Sequence, residues 1–242
     1  MAGHAYVGTS GFAYPAWAPR FYPPGVRAGD LLRHYASRLD AVELNNTFYR
    51  QPRPEQVAAW LAATPAGFRF VVKAQRSGSA RFFADPAAGI DWLTGPYRAF
   101  GERLGAVLFR VPDVVRRDDE RLRRFLAAWP GDMPLVVEFR DASWRADETL
   151  RALEAAGAAL CATELPEDEV PPTLRRTAPH LYLRLRRHDY SPAELGAWRD
   201  RLEPFLAAGD QAYVFFRHDE VGRGAELALE FRALLGEAGE PT

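Results

Sequence analysis

The chain has 242 residues with 31 basic and 32 acidic side chains, so its formal charge of −1 provides no global field to draw it onto nucleic acid or a membrane. With 48% hydrophobic and 26% charged residues it can bury a sizeable core and is not a disordered chain. A single cysteine, Cys161, excludes an internal disulfide framework and a multi-cysteine zinc site. No apolar run approaches the ~18 residues of a membrane span, and no basic segment followed by an apolar stretch opens the chain; both predict a cytoplasmic protein without special targeting.

Short β-rich runs alternate with helical patterns nearly throughout. The first strand is expected at Ala5–Gly8, followed by a loop whose aromatics Phe12, Tyr14, Trp17, Phe21 and Tyr22 interleave with Arg20 and with prolines at 15, 19, 23 and 24. That loop either stacks on a base or sugar or forms a packed flap. Asp30 is expected to cap a helix carrying Leu31, Leu32, Tyr35, Ala36 and Leu39 on one face. A strand at Ala41–Asn45 comes next, then a helix over Glu55–Ala63 started by Pro54 as its first residue.

Strands follow at Phe68–Ala74 and Ala106–Val111, with a helix about Pro96–Arg103 between them. Helix Asp119–Trp129, strand Leu135–Arg140, helix Asp147–Ala156 and strand Ala158–Thr163 continue the alternation. The stretch Pro166–Pro179 has charge, two adjacent prolines and only a weak helical signal, so an irregular connection with at most a short helix is expected there. Strand Leu181–Arg186, helix Ser191–Ala208 (kinked or split at Pro204), strand Gln211–Arg217 and helix Gly224–Leu235 complete the chain. Gly157 and Gly209 fall just past helix ends, where left-handed caps occur.

Eight strands, each a nearly continuous apolar run, suit a parallel sheet buried on both faces. The length is close to the ~250 residues of a single α/β barrel. The first turn, Gly8-Thr9-Ser10-Gly11-Phe12, lacks the Gly-x-Gly-x-x-Gly spacing of a dinucleotide-binding open sheet. The expected fold is therefore one (β/α)₈ TIM-like barrel over residues 1–242, irregular around its sixth helix.

Several motifs resemble the YecE-like family, a bacterial and archaeal domain-of-unknown-function family. They are Tyr6-Val-Gly-Thr-Ser-Gly-Phe-Ala-Tyr14 with Trp17, Val42-Glu-Leu-Asn-Asn-Thr-Phe-Tyr-Arg50, Phe68-Arg-Phe-Val-Val-Lys73, Leu104-Gly-Ala-Val-Leu-Phe-Arg-Val-Pro112, Glu138-Phe-Arg140 with Trp144, and Leu181-Tyr-Leu-Arg184. The resemblance runs in order through nearly the whole chain and implies a barrel similar to that of endonuclease IV and xylose isomerase, with no established activity. The chain departs from the family pattern at Arg110, where Gln is usual, at Asp141, where His is frequent, and in the last loop, Arg217-His-Asp-Glu-Val-Gly-Arg-Gly224.

In such a barrel, chemistry sits at the C-terminal strand ends. Side chains alternate along a strand, so apolar Val42 and Leu44 belong to the helix layer while Glu43 and Asn45 point into the barrel mouth. The same parity groups Val136, Glu138 and Arg140; Tyr182, Arg184 and Arg186; and Tyr213, Phe215 and Arg217. Lys73 and Arg110 close the third and fourth strands, and Glu164 the sixth. Lys73 is the one lysine beside 30 arginines, which either marks a position where the bulkier, always-charged guanidinium does not serve or is a chance survival in a tight spot.

Glu43, Lys73 and Glu138 are the candidate catalytic residues: a carboxylate as general acid–base, and Lys73 as a fixed positive charge or an amine nucleophile. Asn45, Arg110, Arg140, Arg184, Arg186, Arg217, Tyr14 and Trp17 are the candidate substrate contacts. So many charges at one end either pair among themselves as a structural network or clamp a phosphate or carboxylate by forked hydrogen bonds.

His188 and His218 lie beside Asp189 and Asp219 without helix-borne metal spacing, so no cofactor is firmly implied; the alternative is one divalent ion on Glu43, Glu138 or Asp219. Cys161, in an apolar run, reads as an inert packed thiol. These features predict an enzyme, a hydrolase or a lyase or isomerase, acting on an anionic small molecule. The competing readings are a nucleic-acid-processing or nucleic-acid-binding barrel, against which the charge balance counts, and a non-catalytic ligand-binding barrel. Oligomeric state is not readable from the residues.

Overall fold

The computed structural model describes residues 3–237. Eight strands, β1 (Ala5–Ser10), β2 (Ala41–Leu44), β3 (Arg69–Lys73), β4 (Leu104–Arg110), β5 (Leu135–Glu138), β6 (Ala159–Glu164), β7 (His180–Leu185) and β8 (Gln211–Phe216), close in sequence order into a barrel with every neighbouring pair parallel. The alternation of side chains splits each strand between two cores. Val7, Val42, Phe70, Phe109, Leu183 and Phe216 pack outward under the helices. Tyr6, Val71, Leu108, Val136, Tyr182 and Phe215 fill the inside, so the barrel is a packed body closed below its polar upper layer.

Gly8 lets β1 and β2 approach closely. A β-carbon at Gly8 would lie 1.9 Å from the Ala41 carbonyl oxygen, and the Tyr35 hydroxyl, which donates to that same carbonyl at 2.9 Å, occupies the adjoining space.

The eight α-helices of the described residues are not distributed one per connection. Helices α1 (Leu31–Ala36) and α2 (Pro54–Ala62) follow β1 and β2, and α2 starts on Pro54 as expected. Two helices, α3 (Arg76–Ala84) and α4 (Ile90–Thr94), then lie between β3 and β4, ahead of a 3₁₀ stretch at Gly95–Arg103. Next come α5 (Asp119–Ala128), α6 (Asp147–Ala156), α7 (Pro192–Ala207) and α8 (Arg223–Glu237). No helix lies between β6 and β7, in keeping with the irregular connection expected there.

Gly157 takes φ +64° as the left-handed cap of α6, and Gly209 φ +92° after α7. Two local expectations are corrected. Asp30 caps nothing with its side chain; it lies within a 3₁₀ turn and faces Arg33 at 3.5 Å. Pro204 does not split α7, because it falls in the last turn of a helix already secured by the Ser191–Glu194 capping box.

Candidate functional site

The upper inward layer of the barrel is where the apolar interior ends. Glu43 comes from the end of β2, Lys73 from β3, Arg110 from β4, Glu138 from β5 and Arg184 from β7. Glu43, Glu138 and Arg184 are all but fully buried, at 0, 1 and 4% exposure.

Arg184 lies between the two carboxylates. One terminal nitrogen, Nη2, donates to Glu43 Oε1 and the other, Nη1, to Glu138 Oε1, each at 2.9 Å. Tyr182, two residues earlier on the same face of β7, donates its hydroxyl to Glu43 Oε2 at 2.7 Å. Both Glu43 oxygens are thereby occupied. Burial alone would raise its pKa, but Arg184, then Lys73 and Arg186, and the Tyr182 hydrogen bond outweigh it and hold the carboxyl down at about 2. Glu138 differs: its Oε2 is buried without a hydrogen-bond partner, with the Arg110 Nε 4.0 Å away.

The structure pairs some of the candidate charges with one another and leaves others without a carboxylate. Glu43, Glu138 and Arg184 form the network. Arg110 is drawn to Asp113, three residues on, through a forked pair at 2.6 to 3.0 Å. Among the described residues, Lys73, Arg186 and Arg217 have no carboxylate within salt-bridge distance; Arg186 donates to Ser10 Oγ at 3.0 Å and Arg217 contacts His188 at 3.3 Å.

Lys73 is buried, with its ammonium 4.5 Å from the centre of the Phe48 ring. Its pKa is lowered, first by burial and next by Arg184, against the opposing pull of Glu43 and Glu138. Arg186 is likewise pushed down, to about 10, by burial and by Arg184. His218 stacks on Tyr14 with ring centres 5.0 Å apart, and burial with Arg186 and Arg217 lowers its pKa too. Field and burial thus make this rim unfavourable for added positive charge.

Other expected contacts lie elsewhere. Asn45 falls one residue past β2, where it opens a short 3₁₀ turn and lines a cleft with Phe12 and Tyr14 outside the carboxylate pair. Arg140 lies two residues beyond the end of β5 and is exposed in a separate cavity. Trp17 is fully buried, its indole N–H donating to the Asp219 carbonyl at 2.7 Å, and with Phe21 and Tyr22 it forms the packed flap of the two alternatives. Tyr14 stays half-buried at the rim.

Glu164 is buried and accepts from the Tyr190 hydroxyl at 2.6 Å. Cys161 is buried with its thiol pushed up to about 12 by burial and by Glu138, and has the character of a packed side chain.

Two of the three donors named for a divalent ion, Glu43 and Asp219, are committed to other partners. Asp219 turns its carboxylate onto the backbone N–H groups of Val221, Gly222, Arg223 and Gly224 at the start of α8. Among the described residues no group of three or more His, Cys, Asp or Glu side chains is placed to hold a metal, so the residues do not fit the zinc cluster of an endonuclease-like barrel. No helix of the described residues is long and apolar enough to cross a membrane.

Sequence reasoning missed Ser10 and Tyr182 as partners within this layer. Parity had placed Tyr182 on the inner face, but only its reach across the barrel to Glu43 gives it a role.

The fold and sequence together point to relatives. A DUF72 family protein from Thermotoga maritima superposes with a TM-score of 0.83 at 27% identity, covering 96% of this chain and 99% of that one. A DUF72 family protein from Enterococcus faecalis superposes at 0.76 with 20% identity, covering 97 and 98%. The protein YunF of Bacillus subtilis is 23% identical over 95% of this chain and 94% of its own length, and YecE of Escherichia coli is 30% identical over 56% of this chain and 48% of its own. The family model described as "Protein of unknown function DUF72" matches residues 6–242, and the chain therefore belongs to the DUF72 family.

Proposed function

We propose that the barrel mouth binds an anionic small molecule, phosphorylated or carboxylated, and acts on it by proton transfer, as a hydrolase or as a lyase or isomerase. One observation carries this reading. Three cations, Lys73, Arg186 and Arg217, surround the mouth without a carboxylate partner among the described residues, while the carboxylates beside them are already bonded to Arg184. Lys73 is buried and Arg186 and Arg217 are half-buried; charge held partly out of water without a counter-ion is unfavourable, and an anionic ligand would supply the missing partner. Arg186 and Arg217 hold the anion by charge-assisted hydrogen bonds in this reading.

The two carboxylates divide the work unequally. Glu43, ionised and bonded at both oxygens, fixes Arg184 and is a poor proton donor. Glu138, with one unpartnered buried oxygen, is the better general base. Lys73, with a lowered pKa and no carboxylate at salt-bridge distance, suits an amine that exchanges a proton or attacks a carbonyl better than a fixed charge.

The test is thermal denaturation against a panel of inorganic phosphate, sugar phosphates and short carboxylates. Binding to the native state raises the melting temperature by linkage. The reading expects a rise in the parent protein that is lost in Arg186→Met and Arg217→Met. No rise with any anion, or an undiminished rise in both variants, would overturn it. Borohydride trapping with carbonyl compounds, after blocking the α-amino group, reports on Lys73 alone; an adduct there assigns it as the nucleophile.

A further inference from the structure

A second feature lies in the barrel wall, away from the mouth cations. Strands β5 and β6 are paired only at Val136 with Ala159 and Val137 with Leu160, whereas β4–β5 and β6–β7 each hold four register pairs. Strand β6 nevertheless runs on to Glu164. A cavity of about 570 Å³ lies against this unpaired length, touching the consecutive residues Leu160, Cys161, Ala162 and Thr163. Successive strand residues face opposite sides of a sheet, so a cavity that meets four in a row abuts the strand edge. It is a lateral cleft in the wall, and the helix-less connection after β6 forms its outer lip.

The chemistry of the cleft is two-sided. Phe139 and Trp144, stacked with ring centres 4.6 Å apart, lie on one wall, and exposed Val170 with Pro171 and Pro172 on the other. Arg140, Arg145 and Arg175 also line it, all exposed, and none has a carboxylate within salt-bridge distance among the described residues. Two of the acidic residues present are otherwise engaged: Asp141 accepts from the Ser143 N–H at 2.9 Å and Asp168 from the Leu165 N–H at 2.7 Å. The volume falls within the ~300–1,000 Å³ of small-molecule sites.

We propose that this lateral cleft is a second ligand site, taking an organic anion with a flat apolar body, such as an aryl phosphate or aryl carboxylate. The apolar part lies against Trp144 and the proline lip, and the arginines grip the acid. The site does not depend on the mouth cations, so it stands or falls separately from the function proposed above.

Calorimetric titration with phenyl phosphate tests it, using the parent protein, Arg140→Met/Arg175→Met and Arg186→Met/Arg217→Met. The replaced cleft arginines are exposed, so that variant should melt like the parent. Each charge-assisted contact is worth roughly tenfold in affinity. The cleft variant should therefore lose one set of sites by tenfold or more, while the mouth variant retains it. Inorganic phosphate should bind that set at least tenfold more weakly than phenyl phosphate. Unchanged binding by the cleft variant overturns the site, and equal affinity for inorganic phosphate overturns the aryl class.

Discussion

Replacing Arg184 with Met removes the one guanidinium that neutralises two buried carboxylates at once. Glu43 and Glu138 each lose a 2.9 Å ion pair at exposures of 0 and 1%. Breaking a buried pair from one side costs about 3–5 kcal/mol, because the orphaned charge stays desolvated. Against a total stability of roughly 5–15 kcal/mol this is a large fraction.

The loss should depend on pH. In the parent, Glu43 falls from an ordinary 4.5 to about 2 on folding, so its contribution, of order 3 kcal/mol, is fully present above pH 4.5 and lost as pH falls toward 2. Without Arg184 the main depressing charge is gone and the carboxyl rises toward the neutral form. The difference between parent and variant should therefore be greatest near pH 7 and shrink below about pH 4.

Urea unfolding followed by tryptophan fluorescence at both pH values measures it. Adding Glu43→Gln and Glu138→Gln to the Arg184→Met protein should recover much of the loss, since no buried charge then remains unpaired. A variant within about 1 kcal/mol of the parent at pH 7, or a loss that the two Gln substitutions leave untouched, would refute the reasoning.

Arg186→Met should do the opposite: burial and Arg184 already disfavour its charge, so the variant should gain about 1 kcal/mol while losing anion binding, as paired denaturation and phosphate titrations would show. Lys73, as the one lysine, can be followed by NMR after reductive ¹³C-methylation; it should titrate below 10.5 and move upward when an anion binds, and a value at or above 10.5 would contradict the placement of its ammonium. Asp219→Ala should cost about 1–2 kcal/mol in urea unfolding, because four backbone N–H groups at the start of α8 lose their acceptor, whereas Asp219→Asn should keep most of it.

The alternation of apolar runs with helical patterns determined a parallel α/β sheet, because each strand must be buried on both faces and each helix on one, and the length with the absence of a dinucleotide-binding first turn pointed to a closed barrel. Parity along those strands also brought Glu43, Glu138 and Arg184 to one layer, with Lys73 at the adjoining strand end, since side-chain direction is a local property of the backbone. The pair of helices α3 and α4 was not legible: α3 opens Arg76-Ser77-Gly78-Ser79, with little apolar periodicity, and is held by packing of Phe82 and Phe83. That Arg140 and Asn45 lie past the ends of their strands was not legible for a related reason. Hydrophobicity does not mark where a strand stops pairing, and β5 ends at Glu138 and β2 at Leu44.

Which charges neutralise one another was a matter for the tertiary structure alone. Glu43 and Arg184 are 141 residues apart in sequence yet 2.9 Å apart across the barrel, while Arg110 is drawn off by Asp113 only three residues away. Charge pairing depends on distance in space, and it is the closing of the barrel that leaves Lys73, Arg186 and Arg217 at the mouth without a carboxylate of their own among the described residues.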